Sequence, residues 1–511
     1  MNTSMSVAAV IGRLWTGSLV SLTLLTLMPS SSYAQCPRPS NEPESCEPPA
    51  PPGPPVPFQG DIGSSTRVRK SAFELTSSEV DKLRQAFAAL RKLSVNDPAD
   101  PRGWLQQANV HCWNCGGGEA SVENIHGNYW FLPWHRAYLY FFEKILGKLV
   151  GDPDLALPYW DWDTRGRNVM PPPYVIPGNE SNPLFDRYRG VAPWQAMPAW
   201  ATSAEEMKRL LSLRDWASLM GGPAGSRRPG ALEFGTHNRV HQWITDPRGR
   251  ANCGVQDMGI FSTAGQDPIF FAHHANVDRL WEVWRNLGGE QRLPADAEFR
   301  QRTWTFYDEN KRWVSISMDQ ILDNAGSLRY EYSRPSLVGR MGHGVAVSHP
   351  LTGAVTPAPS KSVAKAPGAA QLLTSEPQTV SAPVLVSAEI ALFGAAPPSL
   401  EPTVRRLHVD GVALPPGGST TVRVFVNLPD ADERTPPSGP NYIGAFTVIP
   451  HHGSGHADVT RQDVAFELSA ETEQVVPGAG AILVRLIPLA GEDMRPLGLT
   501  LEYQKVYVAT E

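Results

Sequence analysis

Histidine is the residue type placed least evenly along this chain. None of the 13 occurs before position 111, seven fall between 111 and 274, and six lie after 342. A neutral imidazole offers a metal one lone pair and exchanges a proton near neutral pH. His237 and His241 are four residues apart, which puts both rings on one face of a helix. His126 and His135 are nine apart. In one continuous helix their rings would point to opposite sides, so convergence needs a break before Pro133, a residue suited to a helix start. His273 and His274 are adjacent and differ by about 100° around a helix, so one ion takes only one of them. Asp278 lies one turn beyond His274, where it is placed to fix that ring or a neighbouring ligand. Imidazole suits zinc, copper, iron and nickel. Non-haem iron adds carboxylates, and a di-iron bundle needs two Glu-x-x-His motifs. Only Glu123-Asn124-Ile125-His126 fits that motif. HExxH, the common zinc-protease signature, is absent. An all-imidazole set points to copper, and six ligands point to two ions with three each.

These residues need helices to carry them, and the sequence supplies three. Pro133 opens a segment in which His135, Leu139, Phe142, Leu146 and Leu149 share one face. The segment holding His237 and His241 closes at Asp246-Pro247. Asp267 is an N-cap followed by Pro268 for the helix with His273 and His274. Around this core the organisation reads as a signal peptide at 1–34, a Pro-rich arm at 35–66, a mainly α catalytic domain at 67–350 with a four-helix-bundle di-metal core, a Pro/Ala/Ser-rich linker at 351–383, and an all-β sandwich at 384–511. Arg13, the apolar run 14–28 and Ser32-Tyr33-Ala34 have the pattern of a secretory signal. Such a signal places the mature protein in the periplasm or outside the cell, where disulfides survive. The chain has 511 residues, of which 41% are apolar and 19% charged. That describes an ordinary globular protein of two or three domains. A net charge of −6 argues against a nucleic-acid binder. Five Cys are too few for a disulfide scaffold.

His111-Cys112-Trp113-Asn114-Cys115, FLPWHRAYLYFFE, LPYWDWD (157–163), His237-x-x-x-His241 and DPIFFAHHANVDRLW together resemble the type-3 copper proteins, namely tyrosinases and polyphenol oxidases of the plant-like kind. The resemblance implies two copper ions. His111, His126 and His135 would bind the first, and His237, His241 and His274 the second, with His273 beside them but not bound. It implies a thioether between Cys115 and His126, a gate at Phe261 over the second copper, and a water held by Glu233 and Asn238 that helps deprotonate monophenols. Val424-Phe425-Val426-Asn427, Gly444-Ala445-Phe446 and Leu483-Val484-Arg485-Leu486 resemble the C-terminal domain that shields the copper entrance in that family. Tyr330-Glu331-Tyr332 matches its tyrosine motif, on which Arg69 would pack. Cys112 would pair with Cys36 or Cys46, while Cys253 is extra to the plant pattern.

The function implied is copper-dependent oxidation of phenols by O2, with ortho-hydroxylation of monophenols and oxidation of o-diphenols to o-quinones. A catechol oxidase confined to o-diphenols and a reversible O2 carrier are the alternatives. The implied partners are small phenols and O2, with a protease that activates by cutting the linker. Nucleic acid is not among them, nor is a membrane for the mature chain, and no oligomeric state is specified.

Overall fold

A computed structural model describes residues 46–61, 64–118, 122, 124–245, 257–288, 293–333, 370–385, 404–413, 419–449, 461–489 and 501–510. The signal segment, Cys36 and Cys253 lie outside these residues. In chain order the helices are α1 (Ser77–Asn96), α2 (Trp104–Cys112), α3 (Phe131–Val150), α4 (Ala199–Thr202), α5 (Ala204–Leu211), α6 (Trp216–Met220), α7 (Asn238–Ile244), α8 (Phe261–Ala264), α9 (Ile269–Asn286), α10 (Ala297–Gln301) and α11 (Met318–Leu322). The short strands of this half are β1 (Val56–Pro57), β2 (Arg67–Arg69), β3 (Thr303–Tyr307), β4 (Trp313–Ser317) and β5 (Tyr330–Tyr332).

Helix starts follow local chemistry. Thr76 and Glu79 form a reciprocal capping box at α1, satisfying two orphan N–H groups. α3 starts at Phe131, two residues before Pro133. Proline is tolerated there because first-turn N–H groups have no helical partner. The chain between His126 and Trp130 is non-helical, which supplies the break that lets His126 and His135 converge. Asp267 caps α9 by accepting the Ile269 N–H at 2.9 Å. α3 and α9 are buried almost all round and pack against each other. With α2 and α7 they carry or directly flank the seven histidines between 111 and 274.

The Pro-rich arm is tied down over its described part. β1 runs parallel to β4, and β2 runs parallel to β5, pairing Arg69 with Tyr332. Arg69 is fully buried, with its guanidinium carbon 3.8 Å from the Tyr330 ring centre. The same network gathers Asp278. This residue does not reach a histidine ring, as its spacing from His274 had implied. Its carboxylate accepts Arg136 Nε at 2.7 Å and the hydroxyls of Tyr330 and Tyr332 at 2.6 Å each, and lies 3.4 Å from Arg69 Nη1. The reason is that one turn along α9 carries it past the metal cluster to the level of β2 and β5. Burial alone would raise the Asp278 carboxyl, but Arg136, Arg69 and the two hydroxyls hold it below the usual carboxylate range. Asp278→Asn leaves buried cations under-compensated and is expected to cost about 3–5 kcal/mol. The urea midpoint of the variant checks this, and a loss below about 1 kcal/mol would contradict the hub role.

The C-terminal strands are β6 (Gln371–Leu373), β7 (Gln378–Val384), β8 (Arg405–Val412), β9 (Thr420–Val426), β10 (Tyr442–Val448), β11 (Gln462–Glu467), β12 (Gly480–Leu489), β13 (Leu501–Tyr503) and β14 (Lys505–Thr510). Seven form one sheet in the order β10-β9-β12-β7-β14-β8-β11, and β13 pairs with β6. All pairs are antiparallel except β7 with β14. The domain is mostly β, with one short helix at Ala470–Glu473, and its main sheet is continuous and its two edges approach, with Phe446 and Phe466 rings 6.3 Å apart. The stretch expected as linker contributes β6 and nearly all of β7, so the β fold reaches back to about residue 371. Ala382 and Val384 are buried and alternate with exposed Ser381 and Pro383, and a strand this short is hidden in an Ala/Pro/Ser composition.

Strand β10 and the segment 232–237 ahead of α7 pack together. Asn238 Nδ2 donates to Thr447 O at 2.8 Å, Arg239 Nη2 to Ala445 O at 3.0 Å, and Thr421 Oγ1 to Gln242 Oε1 at 2.5 Å. Phe234 meets Phe466 edge-on at 5.1 Å. Among the described residues no helix is long and apolar enough to cross a membrane.

Candidate metal centre

Two groups of buried histidines offer ligand atoms that lie within 4.8 Å of one another: His111, His126 and His135, and His237, His241, His273 and His274. In the first, the ring centres form a near-equilateral triangle with sides of 5.7, 5.5 and 5.3 Å. His111 comes from α2, His126 from the irregular chain before α3, and His135 from α3 itself. In the second, His237 ends a π-helical turn over 232–237 that kinks at Gly235, and His241 follows one turn later in α7. His273 and His274 come from α9. The groups adjoin: the rings of His135 and His274 stack at 4.2 Å with 16° between planes.

Hydrogen bonds decide which nitrogen of each ring is bare. His135 Nδ1 faces Phe131 O at 2.7 Å and His241 Nδ1 faces Met258 O at 2.7 Å. A carbonyl only accepts, so each Nδ1 carries the proton and each Nε2 keeps its lone pair. His237 Nδ1 likewise lies 2.8 Å from Asn238 Oδ1. His274 Nε2 sits 3.2 Å from His237 Nε2 and 3.4 Å from His241 Nε2. Nitrogens held about 2.0 Å from one ion in a tetrahedral-type site are about 3.3 Å apart, so these three imidazoles fit a shared metal. His135 Nε2 is buried with no hydrogen-bond partner among the described residues. The donor set contains no carboxylate, which suits copper better than iron, magnesium or calcium.

Burial holds these rings neutral. It pushes His135, His237 and His274 well below 6.5, aided by neighbouring imidazoles, and pushes His241 down to about 4. A neutral ring is the ligating form. The folded values lie below the unfolded one, so the unfolded chain binds more protons between about 4 and 6.5, and metal-free protein loses stability as pH falls through that window. Thermal unfolding of the metal-free protein from pH 7 to pH 4 is expected to show a falling midpoint. A flat profile over that range would contradict neutral buried rings.

Glu233 stands beside the first trio. Its Oε1 accepts from Gly127 N at 2.9 Å and lies 3.0 Å from His126 Nδ1, while its buried Oε2 has no hydrogen-bond partner among the described residues. Burial pushes its carboxyl up to about 8 against the pull of the Gly127 N–H. The contact with His126 gives Glu233 a bracing role that spacing from His237 did not reveal. Phe261 touches a histidine ring of each group. It stacks on His126 at 4.3 Å and 22°, and meets His241 only edge-on at 6.1 Å. It faces the first trio because α8 packs on α2 and on 113–117, the chain that carries His111 and Cys115.

Cys46 is the disulfide partner of Cys112. Cys115 is buried, and its thiol donates to Cys112 O at 3.3 Å. Trp162 from the LPYWDWD stretch donates Nε1–H to His273 Nδ1 at 3.2 Å. Sequence spacing assigns this tryptophan no role, because the contact that brings it against the ligand cluster spans distant parts of the chain.

A family model described as the common central domain of tyrosinase matches residues 101–192 and 191–287, and one described as a polyphenol oxidase middle domain matches 294–338. The chain is 33% identical over 310 residues to "Polyphenol oxidase latent form, chloroplastic" of Prunus armeniaca, covering 55% of this chain and 50% of that relative. It is 30% identical over 487 residues to "Polyphenol oxidase, chloroplastic" of Malus domestica, covering 85% of this chain and 77% of that one. A solved structure of recombinantly expressed latent aurone synthase (polyphenol oxidase) superposes with a TM-score of 0.69 at 27% identity, covering 94% of this chain and 97% of the other. The chain therefore belongs to the tyrosinase and polyphenol oxidase family, oxidoreductases that act on phenols through a binuclear copper site.

Proposed function

We propose that His111, His126 and His135 hold one copper ion and His237, His241 and His274 the other, and that the protein hydroxylates monophenols at the ortho position and oxidises o-diphenols to o-quinones. The copper pair, when bound, supplies O2 binding and electron transfer. The chain's own residues hold the ions, admit the phenol and take its proton. Phe261, packed flat on His126, gives the entering ring an apolar wall. Glu233 carries the monophenol reading: it is a buried carboxylate beside the first trio, with one oxygen uncommitted and a pKa pushed toward the working pH. A proton acceptor is most effective there. Asn238 completes the reading through the water it would hold with Glu233.

The second reading, a catechol oxidase, draws support from Asn238. Its Oδ1 is taken by His237 and its Nδ2 by Thr447 of the β domain. With that domain in place both ends of the amide are engaged, which restrains how it can turn toward a water, and diphenols need no such help. The β domain thus acts as a shield, and the linker at 351–370 is where a protease cuts it from the helical core. Oxygen uptake with L-tyrosine and then L-DOPA tests the function, on copper-loaded protein with the linker cut and the β domain separated. No uptake with either overturns it, and uptake with L-DOPA alone selects the second reading. Glu233→Gln keeps an acceptor for His126 and is expected to cut L-tyrosine turnover by about 10²–10⁴ while sparing L-DOPA. Equal losses on both substrates would remove Glu233 from the proton step.

Cys115 and His126 are proposed to join through a thioether. Ile125 N donates to Asn114 O at 2.9 Å, pinning the two segments side by side. A tryptic cross-link lighter by two hydrogens than its separate peptides is the signature. Residues 1–34 are read as a targeting segment into an oxidising compartment that preserves Cys46–Cys112. Their secretory pattern differs from the chloroplastic naming of the plant relatives.

A further inference from the structure

The second histidine group contains four imidazoles, and a site built from three must exclude one. His273 is fully buried and its ring lies parallel to that of His237 at 5.2 Å and 14°. Proximity therefore does not exclude it. Its hydrogen bonding does. Tryptophan Nε1–H only donates. The Trp162 contact at 3.2 Å therefore requires a bare lone pair on His273 Nδ1. A neutral imidazole has one such nitrogen, so the proton sits on Nε2. That nitrogen is buried and has no hydrogen-bond partner among the described residues. One ring nitrogen is thus engaged by Trp162 and the other carries the proton, so neither is open to a metal. The stacked neighbour is in the opposite tautomer: Asn238 Oδ1 takes the proton on His237 Nδ1, leaving Nε2 bare.

Trp162 is held in register with α9 from both sides. Trp160 N donates to Ala272 O at 2.9 Å, immediately before His273. Asp163 receives Arg279 Nη2 at 2.6 Å and Asn276 Nδ2 at 3.0 Å. The indole has little freedom to leave His273. We propose that Trp162 is a positioning residue that fixes the tautomer of His273 and so keeps it from becoming a fourth ligand of the second metal. This rests on the reading of His237, His241 and His274 as ligands.

Cobalt(II) loaded in place of copper tests it without recourse to activity, because its visible bands weaken as coordination number rises. Wild-type protein binding two cobalt ions per chain supports the underlying ligand reading; fewer than two would count against that reading itself. Given two, Trp162→Phe is expected to lose visible intensity per bound cobalt as His273 turns and coordinates. Trp162→Phe with His273→Phe is expected to regain the wild-type spectrum, and His273→Phe alone to retain it. An unchanged Trp162→Phe spectrum overturns the proposal. So does a double variant that fails to regain the wild-type bands, since Trp162 would then act only through packing. His273→Phe, which leaves the indole in place, also decides the matter if Trp162→Phe does not fold: a changed spectrum makes His273 a ligand already and overturns the proposal.

Discussion

Replacing His274 with Ala is expected to lower bound copper from two ions per chain to one and to reduce phenol-dependent O2 uptake by more than about 100-fold. That factor is a floor, because even partners that only orient a ligand are worth about 10–100-fold in metal affinity or activity. His274 is the most consequential choice for two reasons. Its Nε2 is the atom that lies within 3.4 Å of both His237 Nε2 and His241 Nε2, so the second trio has no common focus without it. Its ring also stacks on His135, so its loss removes one of the contacts that set the two trios side by side. Copper content by elemental analysis and oxygen uptake on the same sample check the prediction. Two retained ions, or activity within tenfold of wild type, would remove His274 from the ligand set.

The histidines were legible because metal chelation imposes spacing on sequence. His237 with His241, and the break between His126 and His135, follow from helix geometry alone. The choice between His273 and His274 did not, since spacing says only that one ion takes one of the two, and the preference for His274 came from the family resemblance. The physical difference we propose between them is the Trp162 hydrogen bond to His273, made across 111 residues of sequence. Asp278 misled for the opposite reason. Its i,i+4 spacing from His274 was real, but the partners that decide its role are Arg136, Tyr330 and Tyr332 from other elements. Phe261 illustrates the same limit, because its neighbour His126 is chosen by how α8 packs on α2. The β domain was legible as strands and, through the resemblance, as an expected shield, but the contacts that dock it on the helical core were not. Thr447 meets Asn238 through a backbone carbonyl, which leaves no mark on side-chain identity.

Separating the β domain from the helical core is expected to raise diphenol oxidation at least tenfold, and cutting the linker is not expected to achieve this alone. The docking contacts lie outside the linker and survive its cleavage. Arg406, 5% exposed, donates to Asp215 Oδ2 at 2.6 Å and to Ser218 Oγ at 3.0 Å, and Arg214 reaches Glu467 at 2.6 Å. Arg406 and Glu467 are also cross-strand partners between β8 and β11. Reversing both charges, Arg406→Glu with Glu467→Arg, therefore preserves an opposite-charge pair inside the β domain while setting like charges against Asp215 and Arg214. Arg214 is half exposed, so most of the effect comes from Arg406. Arg406 is buried but the Asp215 side chain is 30% exposed, so the cost is put at about 2 kcal/mol, below the roughly 3–5 kcal/mol of a fully buried pair. That exceeds the roughly 1.4 kcal/mol that each tenfold shift in association requires. After proteolysis between 354 and 369, wild-type protein is expected to elute from a sizing column as one species with low L-DOPA oxidation, and the double reversal as two species with high oxidation. If the reversed protein stays together and inactive, the electrostatic contacts do not hold the shield. If it separates without gaining activity, the β domain does not control access to copper, because the carbonyls that engage Asn238 and Arg239 leave with it.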